Sequence, residues 1–526
     1  MSKRSLPHIL FRTQKHGRKH AIVTESNTTT FHQLQWGAQR IAKHLTTTDL
    51  KEERIAFLST PNESYTMNQW GVWAAGGIAV PLHCHHPRKE WEYVLEDAQV
   101  SGIVCDSSTE SAALLDSAKA LSIPVLNPPT TKSISTSEMH DDDAPMPQWN
   151  ASNFDPERGA QILYTSGTTG RPKGVVMSHG NLQQQIHDIV NAWEMTSNDR
   201  LLHFLPLHHT HGIMNNLLCP LFAGATVEML PRADPRTIWE KYSNAATPLS
   251  ENNYYTMMMA VPTIYMKLLE EVELMSEDQR QTALEVARKL RVTISGSAAC
   301  PIRIMDEWEK LTGHRLLERY GMTELGMALT NPLHGERVPG YVGRPFPSVQ
   351  VRVVDSETQE EETKGELRVK GPGIFREYWN RPEETSKEFD EQGWFKTGDV
   401  AEYSEKHQSF RILGRASVDI LKSGGYKISA LEIEAAILEH QGVAECYVLG
   451  LEDETWGEII VAIVRLRKNS NLANVQAHTK QNLASYKVPR RWIEMEDIPK
   501  NAMGKVNKKQ LRSSVQEMKS GNSQND

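Results

Sequence analysis

ILYTSGTTGRPKGVVMSHGNL, residues 162–182, opens on an apolar strand (Ile162, Leu163) and breaks into a loop. The loop gathers Thr165, Ser166, Thr168 and Thr169 around Gly167 and Gly170. Hydroxyls and unobstructed backbone N–H groups in such a loop suit phosphate oxygens, and Lys173 adds positive charge. The pattern GxxxxGK[ST] is absent, so this is not a kinase-type phosphate loop. An ordinary Gly/Ser/Thr turn does not account for ten consecutive residues of this composition.

Upstream, short β-rich runs alternate with helical patterns. ERIAFLST (53–60), GGIAVPL (76–82) and GIVCD (102–106) are separated by helix-like stretches, which predicts βαβ units and largely parallel sheets. Downstream the character changes. VQVRVVD (349–355), GELRVKG (365–371) and FRILG (410–414) are short β-runs between turns, as in a small barrel or antiparallel sheet. After Gly414 a helix at 431–439 mixes with the β-runs AECYVLGL and IIVAIVRL. The expected fold class is α/β. A large N-terminal domain (1–413) holds βαβ subdomains and a β-barrel-like subdomain, and a smaller α+β C-terminal domain (414–526) follows.

The 526 residues exceed a typical single domain, and 39% hydrophobic with 24% charged residues fits a globular enzyme with a sizeable core. A net charge of −8 gives no general affinity for nucleic acid or an acidic membrane. No apolar run approaches the roughly 20 residues needed to span a bilayer. Five scattered cysteines form no CxxC pair, which points to a reducing compartment. The basic N-terminus reads as a surface helix with Ile9, Leu10 and Ile22 packed inward. A mitochondrial presequence is the alternative, so the expected location is cytoplasmic, with the mitochondrial matrix second.

TSGTTGRPKG resembles the phosphate loop of the adenylate-forming superfamily of acyl-CoA synthetases and adenylation domains. Six further segments match in order: LPLHHTHG (205–212), ISGSAA (294–299), ERYGMTE (318–324), WFKTGDVA (394–401), GRASVDILKSGGYKIS (414–429) and PKNAMGKVNKKQL (499–511). The resemblance implies ATP, Mg²⁺ and coenzyme A as small-molecule partners, and a mobile C-terminal domain. Glu324 is then the Mg²⁺ ligand, since this ion takes one or two carboxylates plus nucleotide oxygens, with Thr323 beside it. Asp399 accepts the ribose hydroxyls, and Arg415 is a second ribose or phosphate contact. Gly296, Ser297 and Ala298 form an adenine floor under Tyr320, with Glu318 and Gly321 in the same cofactor-binding set. Lys505 stabilises charge at the bridging oxygen of adenylation; Lys508 and Lys509 read as solvated lysines. Lys422 and Lys427 belong to the strand presented in the second half-reaction. Asp419 is the hinge candidate, with Val418 its alternative because Gly424-Gly425 lengthens the motif by one residue.

ERYGMTELGMAL, QWGVWAAGGIAVPL and PKNAMGKVNKKQL resemble the malonyl-CoA synthetase branch, including its mitochondrial acyl-CoA synthetase family member 3 type. That branch implies cations at Lys267 and Arg319 holding a distal carboxylate, since an unpaired buried charge is costly. Arg291, His209 and Met322 complete the expected acyl pocket. The run HCHH (83–86) with His208, His209 and His211 raises a zinc site, which the sequence reading discounts because adjacent histidines rarely converge on one ion.

Overall fold

A computed structural model of the chain describes residues 8–46, 49–84, 86–105, 109–126, 145–165, 171–244, 254–500 and 506–521. Among these, four sheets build an α/β architecture. In a seven-stranded sheet, Arg54–Leu58 pairs in parallel with both Ile78–Leu82 and Gly102–Cys105. Helices Glu63–Ala74 and Arg88–Asp97 make the crossovers. All five residues of Ile78–Leu82 are buried, which is why this strand reads as an unbroken apolar run rather than an alternating one.

Gly159–Thr165 extends that sheet in parallel, and Lys173–Ser178 returns antiparallel beside it, with Thr165 opposite Lys173. Ser166, Gly167, Thr168, Thr169 and Gly170 lie outside the described residues. Ser178 then starts the helix His179–Ala192. Its hydroxyl accepts from Asn181 N at 3.1 Å, and Asn181 Oδ1 accepts from Ser178 N at 2.9 Å, a reciprocal cap on two otherwise unsatisfied donors.

The nine-stranded sheet has Arg200–His203, Met257–Ala260, Val292–Ser295 and Leu317–Met322 running in parallel at its centre. Its register pairs Ile294 with Leu317 and Ser295 with Glu318. The carboxyl ends of these strands therefore release LPLHHTHG, ISGSAA and MTE along one edge, where open α/β sheets bind ligands. Trp70, Trp73 and Trp193 lie in the fully buried core. Ile9, Leu10 and Ile22 are likewise buried.

Gln350–Val354, Lys364–Lys370, Phe395–Ser404 and Ser409–Arg415 form a four-stranded antiparallel sheet. The last sheet joins Tyr426–Ser429, Ile420–Ser423, Gly457–Leu466 and Val443–Asp453, and Arg491–Glu494 pairs in parallel with Gly457–Leu466. Gly424 (φ +58°) and Gly425 (φ +83°) close the first hairpin of this sheet. Two successive positive φ values are what a tight two-residue hairpin turn demands. Among the described residues no helix is long and apolar enough to cross a membrane.

Candidate active site

Two groups of side chains meet near the carboxyl edge of the nine-stranded sheet. In the first, Asp399 and Arg415 are cross-strand partners. Arg415 Nε donates to Asp399 Oδ1 at 3.1 Å, while Tyr320 Oη donates to Asp399 Oδ2 at 2.6 Å. Burial disfavours the Arg415 cation, and the Asp399 carboxylate outweighs it and raises the guanidinium's pKa. Both carboxylate oxygens thus point into a fixed polar cluster.

Glu324 is buried just beyond the strand Leu317–Met322, next to half-buried Thr323. Tyr378 Oη donates to Glu324 Oε1 at 2.9 Å. Lys173 Nζ sits 4.6 Å from the centre of the Tyr378 ring and 2.7 Å from Glu384. Burial raises the Glu324 pKa, and among the described residues no cation pairs with it directly. A buried oxygen donor with unspent charge fits a hard divalent ion such as Mg²⁺. Tyr378, absent from the motif reading, carries no local spacing that ties it to Glu324.

The second group centres on Arg319. It is 4% exposed, and among the described residues its Nε has no hydrogen-bond partner. Its Nη2 approaches Ser297 Oγ at 3.4 Å, and His211 Nδ1 lies 3.1 Å from that same oxygen. Ser297 holds φ +70°, a left-handed conformation that non-glycine residues seldom adopt and that recurs at functional sites. A Cβ on Gly296 beside it would meet the Arg319 guanidinium, which would have to shift to admit one. Burial pushes the Arg319 pKa down to about 9, and among the described residues no carboxylate neutralises it.

Glu318 is turned the other way. Its Oε1 accepts from Cys300 N at 3.1 Å, so it fastens the loop after Ser295. Burial pushes its pKa up to about 7. Gly321 packs against the Gly326 carbonyl too closely to admit a side chain. Ala298 is exposed and Met322 half-buried; the His209 ring lies tilted against His208, 3.8 Å between ring centres.

Two expected acyl-pocket cations are not with Arg319. Arg291 precedes the strand Val292–Ser295 and so lies at its amino end. There it pairs bidentately with buried Asp199 (2.7 and 2.9 Å) and donates to Trp193 O. The structure corrects its assignment to the pocket: it is a structural ion pair. Lys267 is exposed on the helix Pro262–Leu274, with no ion pair to any described residue.

In the C-terminal sheet, exposed Lys422 and Lys427 are cross-strand neighbours, and Lys427 Nζ lies 2.9 Å from Glu357. Asp419 Oδ2 accepts from Arg415 N at 3.0 Å. Lys508, expected in solvent, is half-buried between Asp419 and Glu434. Lys505 lies outside the described residues.

Residues 11–379 match the family model described as AMP-binding enzyme, and residues 432–505 match the AMP-binding enzyme C-terminal domain. The chain belongs to the AMP-binding enzyme family. This AMP-binding enzyme is 43% identical to the mitochondrial malonate–CoA ligase ACSF3 of Xenopus laevis, over 87% of this chain and 82% of that protein. It is 41% identical to the Homo sapiens protein of the same name, over 97% and 92%. The crystal structure of ATP-bound MatB from Rhodopseudomonas palustris superposes with a TM-score of 0.83 at 32% identity. The match covers 97% of the AMP-binding enzyme and 99% of that chain.

Proposed function

We propose that this enzyme is an ATP-dependent malonate–CoA ligase. A malonate carboxylate oxygen attacks the α-phosphorus of ATP, the bond to the bridging oxygen breaks, and pyrophosphate leaves. The thiol sulfur of coenzyme A then attacks the acyl carbon, its proton is lost, and AMP departs with the bonding electrons. The protein's work is positioning and charge stabilisation. Asp399, Tyr320 and Arg415 hold the ribose side, while Lys173 and the loop 165–170 hold phosphate. Glu324 and Thr323 hold Mg²⁺, which when bound supplies charge neutralisation at phosphate oxygens. Lys505 meets the first transition state, and Lys422 and Lys427 serve the second.

The observation that carries the malonate reading is Arg319, a buried guanidinium whose Nε has no hydrogen bond and which has no acidic partner among the described residues. A substrate whose second carboxylate enters this pocket supplies the missing charge, whereas a monocarboxylate leaves the cation uncompensated. Relatives named malonate–CoA ligase at 41–43% identity support the same reading. Two rigid parts, 1–413 and 414–526, rotate about Asp419 or Val418 between the half-reactions. A mitochondrial location is supported by the names of those relatives, and the cytoplasm is the alternative.

The test is coenzyme A-dependent AMP release measured across malonate, methylmalonate, succinate, acetate and butyrate. The reading expects malonate or methylmalonate to give the highest kcat/KM; a preference for butyrate or acetate overturns it.

A further inference from the structure

The folded chain brings together histidines that the sequence separates by more than a hundred residues. His83 and His86 sit on the turn after the strand Ile78–Leu82 of the seven-stranded sheet. His208 sits on the loop after Arg200–His203 of the nine-stranded sheet. Ring centres are 4.0 Å apart for His83 and His208, 4.9 Å for His83 and His86, and 5.0 Å for His86 and His208. One ligand nitrogen from each ring falls within 4.8 Å of the other two.

His208 is 7% exposed, and among the described residues neither ring nitrogen has a hydrogen-bond partner. Two unpaired polar atoms on one buried side chain demand an explanation, because such groups are ordinarily satisfied. His86 Nδ1 lies 3.3 Å from Glu90 Oε2. A carboxylate on one imidazole nitrogen orients the other toward a metal and makes it more basic.

We propose that His83, His86 and His208 form a three-histidine site for a divalent transition-metal ion, zinc above all, with water in the fourth position. Zinc takes neutral imidazole at about 2.0–2.1 Å in tetrahedral geometry, which needs ligand nitrogens roughly 3.4 Å apart. His83 and His86 are half-buried on a turn, and closing the remaining gap takes rotation of their rings. The ion would pin one sheet to the other beside His209. Nearby Cys84 is not a ligand: its thiol donates to Ser59 O at 3.4 Å.

The test uses the full chain without a histidine tag, stripped with chelator and dialysed against zinc alone. The expected result is about one zinc per chain by elemental analysis, and a thermal midpoint raised by zinc. His83→Asn and His208→Asn should each bind at least about tenfold more weakly and lose the thermal shift, since even outer-shell partners cost that much. Cys84→Ser should bind as wild type does. His83→Asn, on the turn, keeps the test decisive if His208→Asn fails to fold. Failure to retain zinc overturns the proposal, as does wild-type affinity in His83→Asn. So does a thiolate-to-cobalt charge-transfer band in the cobalt-substituted protein.

Discussion

Lys508 Nζ lies 2.6 Å from Asp419 Oδ1, and the same ammonium is 2.6 Å from Glu434 Oε1. Burial disfavours this cation, yet the Glu434 and Asp419 carboxylates outweigh it and raise its pKa. Asp419, the hinge candidate, is thereby tied to the helix Ala430–Leu438 and to the helix Lys508–Gly521. Its carbonyl also accepts from Ala430 N at 2.7 Å. Asp419 Oδ2 also accepts from Arg415 N at 3.0 Å, so the rotation proposed for the C-terminal part must break bonds on one side of Asp419 or the other.

Lys508→Met should destabilise the protein by about 3–5 kcal/mol at neutral pH, the usual loss when one side of a buried charged cluster is deleted. Glu434 is fully buried and its pKa is already raised by that burial. Without Lys508 it accepts a proton more readily, so the deficit should shrink as pH falls. Denaturant melts at pH 5 and pH 8 check this; an equal loss at both would mean that packing rather than charge is what Lys508 supplies.

Arg319→Met should cut kcat/KM for malonate by a few hundred-fold or more, the equivalent of about 3–5 kcal/mol. Butyrate should suffer far less or improve. The same change removes an unneutralised buried cation, so the free variant should be more stable than wild type, on the order of a few kcal/mol. Lys267→Met, at an exposed position, should have a smaller effect on malonate. Parallel losses for both acids, or a less stable Arg319→Met, would show that Arg319 serves only to hold its loop.

Glu318 gives a pH signature. Its carboxyl titrates near 7 when folded against a usual 4.5, so between those values the folded state keeps a proton that the unfolded state has lost. Stability therefore falls as pH rises through that window, by about 3 kcal/mol in all. Glu318→Gln should flatten this part of the profile of unfolding free energy between pH 5 and 8. A variant whose profile parallels wild type would place the titration elsewhere.

Lys505→Ala should lower adenylation at least a hundredfold, the scale for losing one preorganised donor to a developing charge, while conversion of supplied malonyl-AMP to the thioester stays near wild type. Rapid-quench measurement of the two half-reactions separates these outcomes, and equal losses in both would remove the division of labour.

What could be read in advance follows from how local each signal is. The strand that begins before Ile162 and Leu163 is marked by its own apolar residues, so composition suffices. Arg291 and Arg319 look alike in sequence, each beside a motif. What separates them is strand direction: Arg291 precedes Val292–Ser295, whereas Arg319 lies one residue beyond Glu318, the partner of Ser295. Four residues of strand, at about 3.3 Å each, put the two guanidiniums at opposite ends of the sheet. The half-buried state of Lys508 and the meeting of His83 with His208 depend on packing between distant segments, which no local pattern encodes.

The close fit of Arg319 against Gly296 bears on how acid preference could diverge in descendants of this enzyme if Arg319 plays its proposed part. While the guanidinium lies there, a side chain at 296 is admitted only if Arg319 moves off its present place. A lineage that first exchanges Arg319 for a smaller residue opens that space without such a shift. On the proposed role of Arg319, a dicarboxylate pocket whose position 296 has since been filled is then regained most readily by changing both positions.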